Sequence, residues 1–251
     1  INNTINSGGG NLTLRADSTG TGTGTVTFSG YGSVTMAGGA ASLYYNPSGG
    51  YATPADYSGY FAISGGATLT AYMLVNDIND LQAINNNLAG TYALGKDIDA
   101  GATATWNSGR GFIPIGRTDT GDTINAMPLT FNGNGHTISN LYINRPSQQY
   151  IGLFGGNGSP TIRYLWLENV NVTGGFQTSG AVAHTDGITS HCYVTGTVHG
   201  TDNTVGGLIA LNAGQVDNCY STAAVTGDGN WVGGLVGANW GASASIANSY
   251  S

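Results

Sequence analysis

Apolar and polar residues alternate in short runs along most of the chain, as in Asn11–Ala16, Gly24–Ser29, Ser33–Ala37 and Thr68–Leu74, each bounded by Gly, Asn or Asp. Successive side chains of a strand point to opposite faces, so these runs predict half-buried β-strands. One segment breaks the pattern. In Asn76–Leu88 the apolar residues Ile78, Leu81, Ile84 and Leu88 share one helical face, Asn76 or Asp77 can cap the start, and Gly90 lies just past the end. A short amphipathic helix over 77–88, covering the apolar flank of a sheet, is the reading.

The C-terminal hundred residues repeat themselves. Ile151–Gly155, Ser179–Ala183, Gly206–Ala210 and Gly233–Gly237 are versions of one phrase, with glycines at Gly152, Gly180, Gly207 and Gly234 separated by 28, 27 and 27 residues, and with Leu153, Leu208 and Leu235 beside three of them. A second phrase follows each: Ile162–Leu167, Ile188–Tyr193, Val216–Tyr220 and Ile246–Tyr250, the last three closing on Tyr193, Tyr220 and Tyr250. A unit of this length with two or three strands and no helix cannot bury its own apolar face, so it must stack on its neighbours. The expected fold is all-β, a single-stranded parallel β-helix. Ladders of Leu, Val, Ile and Tyr are placed inside, and Gly at the corners supplies left-handed or tightly bent backbone. Roughly ten turns would make a rod of about 45 to 50 Å. Four stretches of one continuous solenoid are expected: coils over 1–75 with a Tyr-rich excursion at 43–61, the helix and its connection over 76–95, central coils over 96–149, and the repeats over 150–251.

Composition narrows the function. With 13 Asp plus Glu against 6 Lys plus Arg, the net charge of −7 leaves no basic stripe for phosphates, so nucleic acid and anionic membrane surfaces are not expected partners. No apolar run approaches the roughly 20 residues of a membrane span. Lys96 is the single lysine, and Asn, Thr, Ser and Gly fill the polar positions, which suits an extracellular surface. The start, Ile1–Gly10, lacks Met and the regions of a signal peptide, as in a processed chain or an excerpt.

Three further stretches accompany the repeats: Tyr92–Ala100 followed by Trp106 and Phe112–Gly116; Phe131–Leu141; and, upstream, Gly10–Asp17, Gly24–Phe28 and Leu43–Pro47. Together they resemble the large secreted exoproteins of bacterial two-partner secretion, similar to filamentous haemagglutinin, and the repeat itself looks like the GLUG motif. Asn132 stands where Asp is commoner in this group, and the second repeat departs from it at Ala181, Ala183 and His184. The resemblance implies a right-handed parallel β-helix on a bacterial surface or in a secreted fibre, acting as adhesin or structural shaft. It implies no catalysis and no cofactor, and an outer-membrane secretion partner. Self-assembly, end to end or lateral, or contact with a surface receptor or glycan, would then be the function.

Parallel β-helices also host polysaccharide-cleaving enzymes, which need paired carboxylates. Asp97 and Asp99 are the best pair, with Asp119, Asp122 and Arg117 in the loop Arg110–Thr123 as further candidates. Convergence of three acids, or of an acid with Arg117, within about 5 to 6 Å on a concave face would mark an enzyme. Corner and ladder roles are the alternative. His136, His184, His191 and His199 lack the spacing of a zinc framework, and no metal is expected. Cys192 and Cys219, 27 residues apart, should stack on adjacent turns, either bridged or as free thiols, with Ser249 third in line. Thr19–Thr27 is reminiscent of Thr-rich ice-binding faces, but the other Thr pairs do not follow the repeat. Asn2, Asn11, Asn157 and Asn171 fit the N-glycosylation pattern. Finally Tyr44, Tyr45, Tyr51, Tyr57 and Tyr60 lie among Gly and Pro, out of step with the ladders. They either pack on the rod or expose an aromatic platform for a glycan or protein, which would make the chain a carbohydrate-binding module.

Overall fold

The computed structural model describes residues Ile1–Ser251. It is a parallel β-solenoid. One ladder of nine strands runs along it in chain order: Leu12–Arg15, Ala40–Tyr45, Thr68–Val75, Thr91–Leu94, Thr130–Asn132, Thr161–Arg163, Ile188–Ser190, Gln215–Asp217 and Ser245–Ala247. Nine strands at the usual spacing make a stack of about 38 Å, one coil shorter than the repeat count alone predicts.

The coils are unequal. Thr161, Ile188 and Gln215 are register partners at steps of 27 residues, as the repeats predict. Between Met73 and Tyr92 the step is only 19, and between Thr91 and Thr130 it is 39. In the short coil the helix Ile78–Ala83, continued by a 3-10 turn at Ile84–Asn86, stands in for the missing strands. Asp77 caps it by accepting from the N–H groups of Asn79 and Asp80, and Ile78, Leu81 and Ile84 are buried against the coil as their spacing predicts. The long coil carries the 3-10 segment Gly101–Gly109 and the loop Arg117–Asp122.

A second face is built by Ile98–Asp99, Thr137–Ser139, Trp166–Gly174, Tyr193–Gly200 and Tyr220–Ser221, joined by Tyr142–Arg145 and Ala224–Gly227. Shorter ladders close the C-terminal coils, and Thr4–Gly8, Ser33–Ala37 and Phe61–Ser64 form another at the N-terminal end. The interior is one apolar cluster along the rod. Its spine is a column read straight from the register: Tyr45, Met73, Tyr92, Phe131, Ile162, Thr189, Val216 and Ile246. Every member but Ile246 is buried.

Two expectations about residue placement need correction. The tyrosines that close the repeats are not inside: Leu167, Val194 and Ser221 point inward, so their neighbours Trp166, Tyr193 and Tyr220 point outward by alternation. Nor do the repeat glycines supply left-handed corners. Those corners belong to Tyr150, Gln177, Thr204 and Trp231 on one edge and to Tyr164, His191, Asn218 and Asn248 on another, all with φ between 50 and 68°. Gly180, Gly207 and Gly234 serve close approach instead. A Cβ on Gly180 would meet the Gly207 carbonyl oxygen at 2.7 Å, and one on Gly207 would overlap the carbonyl oxygen of Gly234.

Candidate functional site

Chemistry-bearing side chains in this fold mostly reach from one coil to the next. Asp97 accepts the Thr137 N–H at 3.0 Å and lies 3.2 Å from His136 Nδ1. Asp99 accepts from Asn140 Nδ2 at 3.0 Å and from the Gly101 N–H at 2.9 Å, and these bonds hold its carboxyl below the usual aspartate value. Asn169 in turn donates to Asn140 at 2.7 Å. The two candidate acids therefore brace corners with separate partners.

The loop carboxylates are bound more tightly. Asp119 accepts from Arg110 Nη2 at 2.6 Å and from Arg145 Nη2 at 2.8 Å, while its backbone oxygen takes further bonds from both arginines and from Gln148. Burial alone would raise the Asp119 pKa, but the bonds from Arg145 and Arg110 outweigh it and the net shift is downward. Arg117 Nη2 and Asp122 Oδ1 meet at 3.4 Å, which satisfies the acid-plus-arginine spacing named for an enzyme. However, the side chains of Arg117 and Arg145 are both 0 % exposed, so neither guanidinium can touch a substrate. Burial lowers both arginine pKa values, and Asp122 and Asp119 oppose the shift. This is a clamp holding the long coil's loop to the rod; sequence reasoning singled out the loop residues but missed Arg145 and Gln148, which lie 26 and 29 residues from Asp119.

The histidines sit apart from one another, His184 and His199 within strands and His191 at a corner. His184 lies 3.7 Å from Asp186, His199 Nδ1 is 3.0 Å from Thr226 Oγ1, and the His191 ring lies tilted against Tyr164 with centroids 4.9 Å apart. No three His, Cys, Asp or Glu side chains converge as metal ligands would.

Cys192 and Cys219 stack as their spacing predicts and are free thiols. The Cys192 N–H donates to Cys219 Sγ at 3.4 Å, and the Cys219 N–H donates to Ser249 Oγ at 3.0 Å. The slot thus calls for a small acceptor that satisfies the coil beside it. Burial, then the neighbouring Cys219, push the Cys192 thiol well above its ordinary pKa, so little thiolate forms. Iodoacetamide followed by intact-mass analysis should find no adduct on the native chain and two adducts after denaturation; native labelling would contradict the buried slot.

The tyrosines of 43–61 are not a platform. Tyr44 and Tyr45 belong to a ladder strand, and Tyr44 stacks on Tyr72 at 5.0 Å. Tyr45, Tyr51 and Tyr57 are buried, Tyr51 donates to the Leu74 carbonyl at 2.7 Å, and burial raises the pKa of all three. Tyr60 is partly exposed but stacks on Phe28 at 4.6 Å. Phe28, Phe61 and Tyr92 provide the apolar partners that draw these rings onto the rod.

A different set forms an outward column: Trp166, Tyr193, Tyr220 and Tyr250 stack with centroid steps of 5.9, 4.9 and 5.4 Å along the second face. Fold and contacts together define a parallel β-solenoid repeat protein, braced between coils by Asn, Asp, Arg and aromatic side chains. Residues 201–226, the third repeat, match the family model described as the GLUG motif. A stretch of 151 residues, 58 % of the chain, is 39 % identical to a protein named Halomucin from Haloquadratum walsbyi. The chain spans only about 2 % of that much longer relative. No solved structure matches.

Proposed function

We propose that this chain is a non-enzymatic shaft segment of a very large secreted or cell-surface protein, serving adhesion or building an extracellular fibre. The observation that carries the reading is the nine-strand ladder, with Asp97, Asp99, Asp119 and Arg145 spent on holding coil to coil. Similarity to Halomucin, of which the aligned stretch is about 2 %, supports a segment within a giant chain, and the GLUG match supports a repeat role. A surface with one lysine and many amides and hydroxyls fits an extracellular setting.

Two finer features belong to the same proposal. The fibre extends by coil stacking on coil, within one polypeptide or between copies, in the way the nine strands of the ladder already stack. Export through an outer-membrane partner of the two-partner kind is supported by the Tyr92–Gly116 and Phe131–Leu141 stretches. Immunogold labelling of intact cells with antibodies to this chain should decorate surface fibres. Label confined to the cell interior would overturn the proposal.

A further inference from the structure

The outward aromatic column has a second wall. At the corner just before it stand Tyr164, His191, Asn218 and Asn248, one per coil, all on left-handed backbone. Between the two walls runs a groove of about 280 Å³, lined by Tyr164, Trp166, His191, Tyr193, Asn218 and Tyr220, with the buried Cys192 as its floor. We infer that this groove binds a neutral, extended β-linked polysaccharide lying along the rod axis.

Four observations select that occupant. First, the repeat along the groove matches a linear polymer of rings. Centroid steps of 4.9 to 5.9 Å are imposed by strand spacing, and they are close to the advance of one pyranose in an extended β-linked chain. Second, the walls combine ring carbon with polar tips, which suits a sugar's alternating C–H and hydroxyl surface. Third, the amides are pre-aimed: Asp217 accepts from Asn218 Nδ2 at 2.6 Å and from Asn248 Nδ2 at 2.9 Å, leaving both amide oxygens as acceptors. Glu168 similarly fixes Tyr193, whose hydroxyl donates to it at 2.5 Å. Fourth, charge excludes the anionic alternatives, because Glu168 and Asp217 flank the groove of a chain with net charge −7.

The corner backbone shows which exchange is tolerated there. Asn is the side chain that tolerates the left-handed region best, and it occupies this corner in two coils, with φ of 52 and 50°. Tyr164 and His191 hold the same conformation at 53 and 56° at greater steric cost, their rings tilted against each other with centroids 4.9 Å apart where they line the groove. Tyr150 and Trp231 hold the same conformation on the other edge, so such a corner accepts rings as well as Asn, and at 164 and 191 the rings line the groove.

The same contrast supplies a clean test. Tyr164→Asn with His191→Asn installs the residue that neighbouring coils already use, so the unfolding midpoint should stay level or rise. Calorimetric titration of the full 251-residue chain with cellohexaose and with N-acetylchitohexaose should show binding of at least one. The double variant should weaken that binding by about tenfold, the worth of two aromatic contacts. Hexagalacturonate, a polyanion, should bind more weakly than the neutral oligosaccharide. Absence of binding by both neutral probes at millimolar concentration, unchanged affinity in the folded double variant, or equal binding of hexagalacturonate would each overturn the assignment. None of those results would touch the shaft reading, which rests on the ladder rather than on the groove.

Discussion

Gly207→Ala is expected to destabilise the C-terminal coils by about 3 kcal/mol or more, at the upper end for overpacking, because the obstruction is backbone. Gly207 sits where three coils touch: its oxygen accepts the Gly180 N–H at 3.0 Å and its N–H donates to the Gly233 oxygen at 3.3 Å. A Cβ there would overlap the Gly234 carbonyl oxygen and Ser221 Oγ, and the carbonyl belongs to a coil that cannot withdraw without breaking its own ladder. Gly59→Ala is the control. A Cβ at Gly59 meets nothing within 4 Å and its φ is not positive, so the change should be neutral or stabilising by a few tenths of a kcal/mol. Urea unfolding of both variants measures the difference; equal midpoints would show that the repeat glycines are not contact points.

Asp119→Ala should be costlier still, about 3 to 5 kcal/mol, the usual result of leaving a buried charge without its partner. Arg145 is the charge at issue: its side chain is fully buried, and with Asp119 shortened it keeps only the Phe112, Gly111 and Gln148 oxygens and the Asp119 backbone carbonyl. The wild-type pair also sets a pH dependence. Because the Asp119 carboxyl titrates lower in the fold than in the unfolded chain, its contribution is full above the ordinary aspartate value of about 4 and is lost as pH falls through the depressed one. Asp17 acts in the same direction. Its burial is outweighed by bonds from Thr21, Asn46 and Gly22, and its pKa falls to about 2. Wild type should therefore lose stability between about pH 4 and pH 2, and Asp119→Ala should lose less over that interval. A parallel acid profile for the two proteins would remove the clamp from the account.

The solenoid was legible because its signals are local and periodic. Alternating runs, a phrase recurring at 27 residues, and the Ile78, Leu81, Ile84 face each report on a neighbourhood of a few residues. The coils of 19 and 39 residues were not legible, since a helix and a loop replace strands there and register is set by partners distant in sequence. The aromatic column shows a different limit. Tyr193, Tyr220 and Tyr250 were visible as repeats, but which face they occupy follows from Leu167 and Val194 claiming the interior. For Tyr45, Tyr51 and Tyr57 the order was reversed: Gly and Pro around them suggested an exposed loop, and packing against Phe28, Tyr92 and the helix side buried them. Of the Arg110–Asp119–Arg145 clamp only the loop was visible: Arg145 left no local signal, because buried arginines and surface arginines read alike until their carboxylate is found.

Cryo-electron microscopy of the native surface material, at a resolution that separates strands, tests the shaft account most directly. The expected result is a continuous rod in which the ladder from Leu12 to Ala247 advances by about 4.8 Å per coil and lies within a longer fibre of the same architecture. A compact particle in which these coils form one wall of a closed, substrate-sized cleft would contradict it.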